Sequence, residues 1–176
     1  MHTSIDATGV IPAEVFRSPS LFMAIGFGSG LSPVAPGTVG SVVALLPGWF
    51  LIQSDAASFC VFILIASLLG VWWCQQAGQR LGVSDHGAIV FDEFVGQWIA
   101  LGLPWYLLQG GLPVPVIILG GLLAFRLFDI AKPWPVGWLD RHLKGGWGVM
   151  LDDVAAGLMA GALLTAVGIP LVVLSH

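Results

Sequence analysis

Charged side chains are scarce in this sequence. Asp, Glu, Lys and Arg account for 9% of the 176 residues, against about 25% in an ordinary soluble domain. Hydrophobic residues make up 57%, and the mean hydropathy is +0.93. The net charge is only −4 and no basic stripe is present, which argues against a nucleic-acid partner. The composition therefore favours an integral membrane protein.

Cysteine is also scarce. Cys60 and Cys74 lie in one apolar run, which on a helix separates them by about 21 Å at ~1.5 Å per residue. That distance is too long for a disulfide between them. The N-terminus lacks the basic, apolar and small-residue pattern of a cleaved signal peptide, so we expect no cleavage there.

Five apolar runs follow a polar lead-in at residues 1–20. They cover residues 42–52, 56–74, 94–108, 114–128 and 154–174. Since about 20 apolar residues span a bilayer as a helix, we predict an all-α, multi-pass helical bundle of about five apolar helices. It forms a single domain over residues 1–176. With the N-terminus in the cytoplasm, every Lys and Arg falls on the cytoplasmic side, as the positive-inside rule requires, and Asp55 is the single charge outside.

Glycine and proline are dense between residues 28 and 41. Such density breaks regular helix, and irregular backbone is not tolerated against lipid, so we expect a re-entrant or surface loop. The stretch lacks the Lys-Ser/Thr ending of a Walker P-loop. Its backbone amides, with Ser32, Gly37 and Thr38, can still bind an anion. A tight turn with Thr38 capping the next helix is the alternative.

The few charges are concentrated in the chain. Half of them lie between residues 126 and 153, and a smaller group is the pair at 92–93. The helix dipole favours carboxylates at a helix start, which is the simplest interpretation of the acidic pair at 92–93 or at 152–153 taken alone. Two such pairs and Asp129 on one side indicate instead a site for Mg²⁺, which binds carboxylates together with substrate phosphate oxygens.

Arg126, Asp129 and Lys132 have a spacing that places them on one helix face. Asp129 then pairs with both basic residues, either as a structural ion pair or as part of a site in which Arg and Lys bind phosphate oxygens. Pro133 and Pro135 predict that the helix ends after Lys132.

Glycines flank the second acidic pair. Residues 145–148 (GGWG) predict a flexible hinge or a close approach of the backbone to a ligand. Gly157 and Gly161 form a G-x-x-x-G pattern, which we interpret as helix packing within the chain rather than dimerisation. The sequence does not indicate a homo-oligomer.

Four segments stand in the order and spacing of a known family: residues 28–41 (GSGLSPVAPGTVGS), 89–96 (IVFDEFVG), 125–135 (FRLFDIAKPWP) and 145–157 (GGWGVMLDDVAAG). They resemble phosphatidylglycerophosphatase A over nearly the whole chain. The resemblance leads us to expect a bulkier residue at Ala131 and isoleucine at Val136, and these two differences concern packing. The resemblance implies a magnesium-dependent lipid phosphatase of the bacterial inner membrane. It would hydrolyse phosphatidylglycerophosphate to phosphatidylglycerol and inorganic phosphate.

The residues themselves suggest roles within such an enzyme facing the cytoplasm. We expect one acidic cluster to hold one or two Mg²⁺ and to provide the general base for attack of water on phosphorus; its members are Asp92, Glu93, Asp129, Asp152 and Asp153. Arg126 and Lys132 neutralise the phosphate, and the loop carrying Ser32, Gly37 and Thr38 closes over it.

Two alternatives remain open at this point. One is a covalent aspartyl-phosphate on Asp92 or Asp152. The other is a transporter for an ion or small anion with an acidic metal-binding cluster, which is disfavoured because the acids flank the helices rather than lie at mid-span.

Overall fold

The computed structural model describes residues 17–83, 86–109 and 111–174, and all regular structure within them is helical. The predicted all-α class is therefore confirmed. Most of the lead-in predicted for residues 1–20 lies outside the described residues. In chain order the elements are α1 (Pro19–Ala24), a 3-10 helix (Gly26–Leu31), α2 (Pro36–Leu51), α3 (Ala56–Leu81), α4 (Phe91–Leu107), α5 (Val114–Ala131), α6 (Val136–His142) and α7 (Gly145–Leu174).

Each of the five predicted apolar runs lies in a helix, but the helices differ in length. Among the helices of the described residues, only α3, α5 and α7 are long and apolar enough to cross a membrane. Helices α2 and α4 have 16 and 17 residues, or about 24–26 Å at ~1.5 Å per residue, which is shorter than the ~30 Å hydrocarbon core. The expected count of about five membrane-spanning helices is therefore imprecise, because length and composition by themselves identify three of them.

Helix α4 lies at the centre of the bundle. Twelve of its 17 residues are buried, and α2, α3, α5 and α7 pack around it. The Phe94 ring lies 6.0 Å from Phe91 and 5.9 Å from Trp98, and the Trp98 indole N–H donates to the Ala44 carbonyl of α2 at 3.0 Å. Because neighbouring helices cover it, α4 can carry polar side chains without exposing them to lipid.

Helices α4 and α7 approach most closely where two glycines face each other. A Cβ atom on Gly157 would overlap the backbone of Gly96, and one on Gly96 would lie only 2.7 Å from the Asp153 carbonyl oxygen. One turn further along α7, a Cβ on Gly161 would lie 2.7 Å from Leu103. The G-x-x-x-G pattern thus serves packing within the chain, as predicted, and it holds Asp153 beside the start of α4.

The glycine- and proline-rich segment is less irregular than predicted. Helix α2 already begins at Pro36, because proline at the first helical position needs no hydrogen-bond acceptor and its φ suits a helix. Irregular backbone is confined to the residues before it, where Phe27 and Ala35 adopt left-handed conformations with φ of 58° and 46°. Helix α3 also extends beyond the apolar run at 56–74 and ends at Leu81.

Helix α7 starts well before the apolar run at 154–174. The GGWG segment at 145–148, predicted as a hinge or ligand contact, forms its first turn. The Gly146 N–H donates to the Gln75 side chain of α3 at 2.8 Å, and a Cβ on Gly146 would overlap the Val71 carbonyl. Gly146 thus lets α7 pack on the α3 backbone. As a result, Asp152 and Asp153 lie two turns inside α7 rather than before it.

Candidate active site

A small polar cavity of about 110 Å³ lies where α4, α5 and α7 meet. The five acids singled out in the sequence all line it, together with one lysine: Asp92, Glu93, Asp129, Asp152, Asp153 and Lys132. Gly87, Ile89 and Val149 complete its wall. Acids as far apart in the chain as Asp92 and Asp153 are therefore brought to one place.

Asp92 and Glu93 enter the cavity from the first turn of α4. The Val90 N–H donates to the Ala24 carbonyl at 2.9 Å, which ties the start of α4 to the end of α1. The positive end of the helix dipole favours negative charge here. Both carboxylates are largely shielded from solvent, since Asp92 is buried and the Glu93 side chain is 13% exposed.

Asp152 and Asp153 are both buried on α7. One carboxylate oxygen from each of Asp92, Glu93 and Asp153 lies within 4.8 Å of the others. Hard oxygen ligands are what a divalent cation such as Mg²⁺ prefers. Burial and mutual repulsion disfavour three ionised carboxylates so close together, and a cation would relieve both effects. The donor set therefore fits a hard divalent cation.

Arg126 and Asp129 form an ion pair near the end of α5. The Arg126 Nη1 lies 2.6 Å from Asp129 Oδ2, at the predicted i, i+3 spacing, and 3.9 Å from Glu93 Oε1. The Arg126 Nε is buried and has no hydrogen-bond acceptor among the described residues. The guanidinium thus retains donor capacity for a ligand.

Lys132 departs from the helix face predicted for it. Helix α5 ends at Ala131, one residue earlier than the prolines predict, and Lys132 is left-handed with φ 43°. Its ammonium donates to Asp140 Oδ1 at 2.6 Å and to Asp152 Oδ2 at 2.9 Å, not to Asp129. Burial opposes its charge, but the hydrogen bonds to the two carboxylates outweigh burial and raise the pKa of Lys132 above its usual value. Lys132 is therefore cationic at neutral pH.

The residues predicted to bind phosphate from the 28–41 segment lie at different distances from the cavity. Gly37 abuts it, because a Cβ there would overlap the Glu93 carboxylate and lie 3.3 Å from both terminal nitrogens of Arg126. Thr38 follows in the same turn of α2. The Ser32 hydroxyl instead donates to a backbone carbonyl two residues on, at 2.9 Å. Neither Ser32 nor Thr38 is part of the cavity wall.

Two polar residues near the site have no counterpart among the sequence predictions. Asp140 contacts Lys132 across two prolines, a connection with no helical periodicity to reveal it. Gln97 is fully buried, and neither its amide nitrogen nor its oxygen has a partner among the described residues. Its position one turn beyond Glu93, inside an apolar run, is the signal that could have identified it.

Comparison with known proteins identifies relatives over most of the chain. The family model for phosphatidylglycerophosphatase A matches residues 22–168. The phosphatidylglycerophosphatase A of Escherichia coli K12 is 40% identical, with 86% of this chain and 84% of that protein covered. The enzyme of the same name from Haemophilus influenzae is 39% identical, covering 85% and 89%.

A third relative has a different name. It is a "Putative phosphatidylinositol-3-phosphatase" of Bacteroides thetaiotaomicron, 35% identical, with 79% of this chain and 87% of that protein covered. No solved structure matches the chain significantly.

Proposed function

Because the chain belongs to the phosphatidylglycerophosphatase A family, we propose that it hydrolyses the phosphate monoester of phosphatidylglycerophosphate to phosphatidylglycerol and inorganic phosphate. The convergence of five acids and Lys132 on one cavity supports this reaction. Carboxylates there suit a divalent cation, and the cationic side chains of Lys132 and Arg126 suit a phosphate. The substrate is a lipid, and three apolar helices associate the protein with the membrane that contains it.

Asp92, Glu93 and Asp153 are the residues that would hold the cation, and we infer that it is Mg²⁺. The support is their grouping within 4.8 Å and their oxygen donors. A cation bound there would offset negative charge on the phosphate and on the leaving oxygen.

Arg126 and Lys132 neutralise the phosphate from the α5 side of the cavity. Both lie within ion-pair distance of its carboxylates, and both keep donors for phosphate oxygens. The start of α2 approaches from the other side at Gly37. The N–H groups of Gly37 and Thr38 lie in the first turn of a helix, where they have no acceptor within it. We assign them to a phosphate oxygen, as at other helix N-termini.

Asp129 and Asp152 lie outside the group of three carboxylates, and each contacts a basic side chain. We assign one of them as the general base that takes a proton from the attacking water. The water oxygen bonds to phosphorus while the bond from phosphorus to the glycerol oxygen breaks. That oxygen then takes up a proton and becomes a hydroxyl of phosphatidylglycerol.

Phosphate release from purified protein tests the proposal. We expect detergent-solubilised protein to release inorganic phosphate from phosphatidylglycerophosphate. This release should stop in EDTA and resume when Mg²⁺ is restored. Asp92→Asn should abolish turnover with normal expression and folding, whereas Asp55→Asn, which removes the charge of the residue that caps α3 outside the site, should not. Undiminished turnover in Asp92→Asn would exclude the site assignment, and a radiolabelled phosphoenzyme trapped from substrate would replace direct attack of water with the covalent route.

The substrate is tested in the same assay. Phosphatidylinositol 3-phosphate is the comparison lipid, because one relative is named for that substrate. A higher kcat/KM for phosphatidylglycerophosphate is the result we expect. A preference for the inositol lipid would reassign the substrate while leaving the phosphatase reaction in place.

A further inference from the structure

Asp140 lies next to the acidic cavity without being part of its wall. It belongs to α6, and its Oδ1 accepts a hydrogen bond from the Lys132 ammonium at 2.6 Å. The same ammonium contacts Asp152 on the cavity side at 2.9 Å. The Asp140 side chain is 34% exposed and that of Asp152 is 8% exposed. Lys132 therefore bridges an outer and an inner carboxylate.

The docking of α6 fixes this arrangement. The Gly137 N–H donates to the Pro133 carbonyl at 3.0 Å, and a Cβ on Gly137 would overlap the carbonyl oxygen of Lys132. Asp140 lies three residues after Gly137, on the same face of α6. The helix thus rests directly on the turn that ends α5 and directs Asp140 towards the Lys132 side chain.

We propose that Asp140 is a positioning residue that holds the Lys132 ammonium at the rim of the cavity, where it meets the substrate phosphate. This inference rests on the proposed phosphatase function. An ammonium has three N–H donors, and the two carboxylates occupy two of them. The third is available for a phosphate oxygen, and the fixed pair of acceptors sets its direction.

Loss of Asp140 removes the outer of these two acceptors. Lys132 then has Asp152 as its only carboxylate partner among the described residues, which draws the ammonium towards the cluster and away from the phosphate. Because lysine is a flexible point charge, nothing else then holds it at the rim. The predicted defect is therefore weaker phosphate binding, with the cation requirement unchanged.

Steady-state kinetics of the full chain in detergent test this role. We expect Asp140→Asn to raise KM about tenfold, the effect of losing one charge-assisted hydrogen bond, with a smaller fall in kcat. Asp140→Glu should restore most of the loss because it keeps the carboxylate. Asp55→Asn, the same change at an exposed position outside the site, is the matched control and should leave KM unchanged.

Two further measurements separate positioning from other roles. In a Lys132→Gln background, Asp140→Asn should have no further effect, because the two residues act through one contact. Inorganic phosphate should raise the melting temperature of the wild type more than that of Asp140→Asn, a readout that does not require turnover.

Several results would overturn the inference. Additive losses in the double variant would show that Asp140 acts independently of Lys132. A shift in the Mg²⁺ concentration for half-activity with KM unchanged would make Asp140 a cation ligand. Equal losses for the Asn and Glu variants, with lower melting temperatures, would make its role structural. Wild-type protein without phosphatase activity would refute the proposed function, while the phosphate-dependent melting shift would still test the Asp140 contact.

Discussion

Asp153 is the most deeply buried acid of the cavity, with 3% of its surface exposed. It shares a space 4.8 Å across with oxygens of Asp92 and Glu93. Without a cation, repulsion and lost hydration make this arrangement unfavourable. The cluster therefore lowers the stability of the fold, although function requires it. Such a trade-off is common at active sites.

Replacing Asp153 with Asn should separate activity from stability. We expect activity to fall by at least about 100-fold, as for loss of a cation-site residue. The free energy of unfolding in EDTA should rise by about 1–3 kcal/mol, because one of three close charges is gone. Thermal unfolding in detergent without Mg²⁺ measures the gain in stability. The same measurement with Mg²⁺ shows the loss of metal-dependent stabilisation. A variant less stable than wild type in EDTA would contradict this account.

Single residues were predictable from the sequence where scarcity made them conspicuous. The five acids stand out in a chain with so few charges, and the structure gathers them in one cavity. The partners of Lys132 were not predictable in the same way. Helical spacing pairs Lys132 with Asp129, but Lys132 leaves the helix in a left-handed conformation and contacts Asp140 and Asp152 instead.

At the scale of elements, the contact between α4 and α7 determines the position of Asp153. Gly157→Ala would place a methyl group against the Gly96 backbone, which cannot move aside as a side chain can. We expect a loss of about 1–3 kcal/mol of stability and a parallel loss of activity, measured by thermal unfolding and phosphate release.

Gly120→Ala on α5 is the matched control. Its new methyl group would meet only the flexible end of Leu164 at 3.0 Å, and alanine favours helix over glycine by about 1 kcal/mol. Its stability should be unchanged or slightly higher. If both variants behave alike, close packing at Gly157 is not what holds the two helices in place.

Apolar runs predicted where helices exist, but not where they begin. Helix α7 includes the GGWG segment at 145–148 because Gln75 accepts the Gly146 N–H and Gly146 fits against the α3 backbone. These are contacts between distant parts of the chain, and the local composition does not reveal them. The start of α2 at Pro36 could be predicted from the local sequence, since proline suits a first helical turn.

At the scale of the whole molecule, the bundle has a charged end and an almost uncharged end. Arg17 and Arg80 line one cavity at the C-terminal end of α3, and the acidic site lies at the same end of the bundle. At the opposite end, Asp55 caps α3 through the Ser58 N–H, and Tyr106 donates to the neighbouring Ser54 carbonyl at 3.2 Å. By the positive-inside rule, we propose that the charged end faces the cytoplasm.

Cysteine labelling tests this orientation in intact cells. In a background with Cys60→Ser and Cys74→Ala, we expect Asp55→Cys to react with a membrane-impermeant maleimide added outside the inner membrane. Arg141→Cys, at the exposed end of α6, should react only after the membrane is permeabilised. The reverse pattern would place the site on the other face of the membrane.

The enclosure of α4 by its neighbours also bears on how the protein is assembled in the bilayer. Helix α4 carries two acids and a buried glutamine. Such polar side chains make the transfer of a single helix into lipid unfavourable. Its polar groups gain protection only when surrounding segments are present. We therefore expect α4 to leave the insertion machinery together with α5, as a hairpin, and to settle into place once α7 has been synthesised.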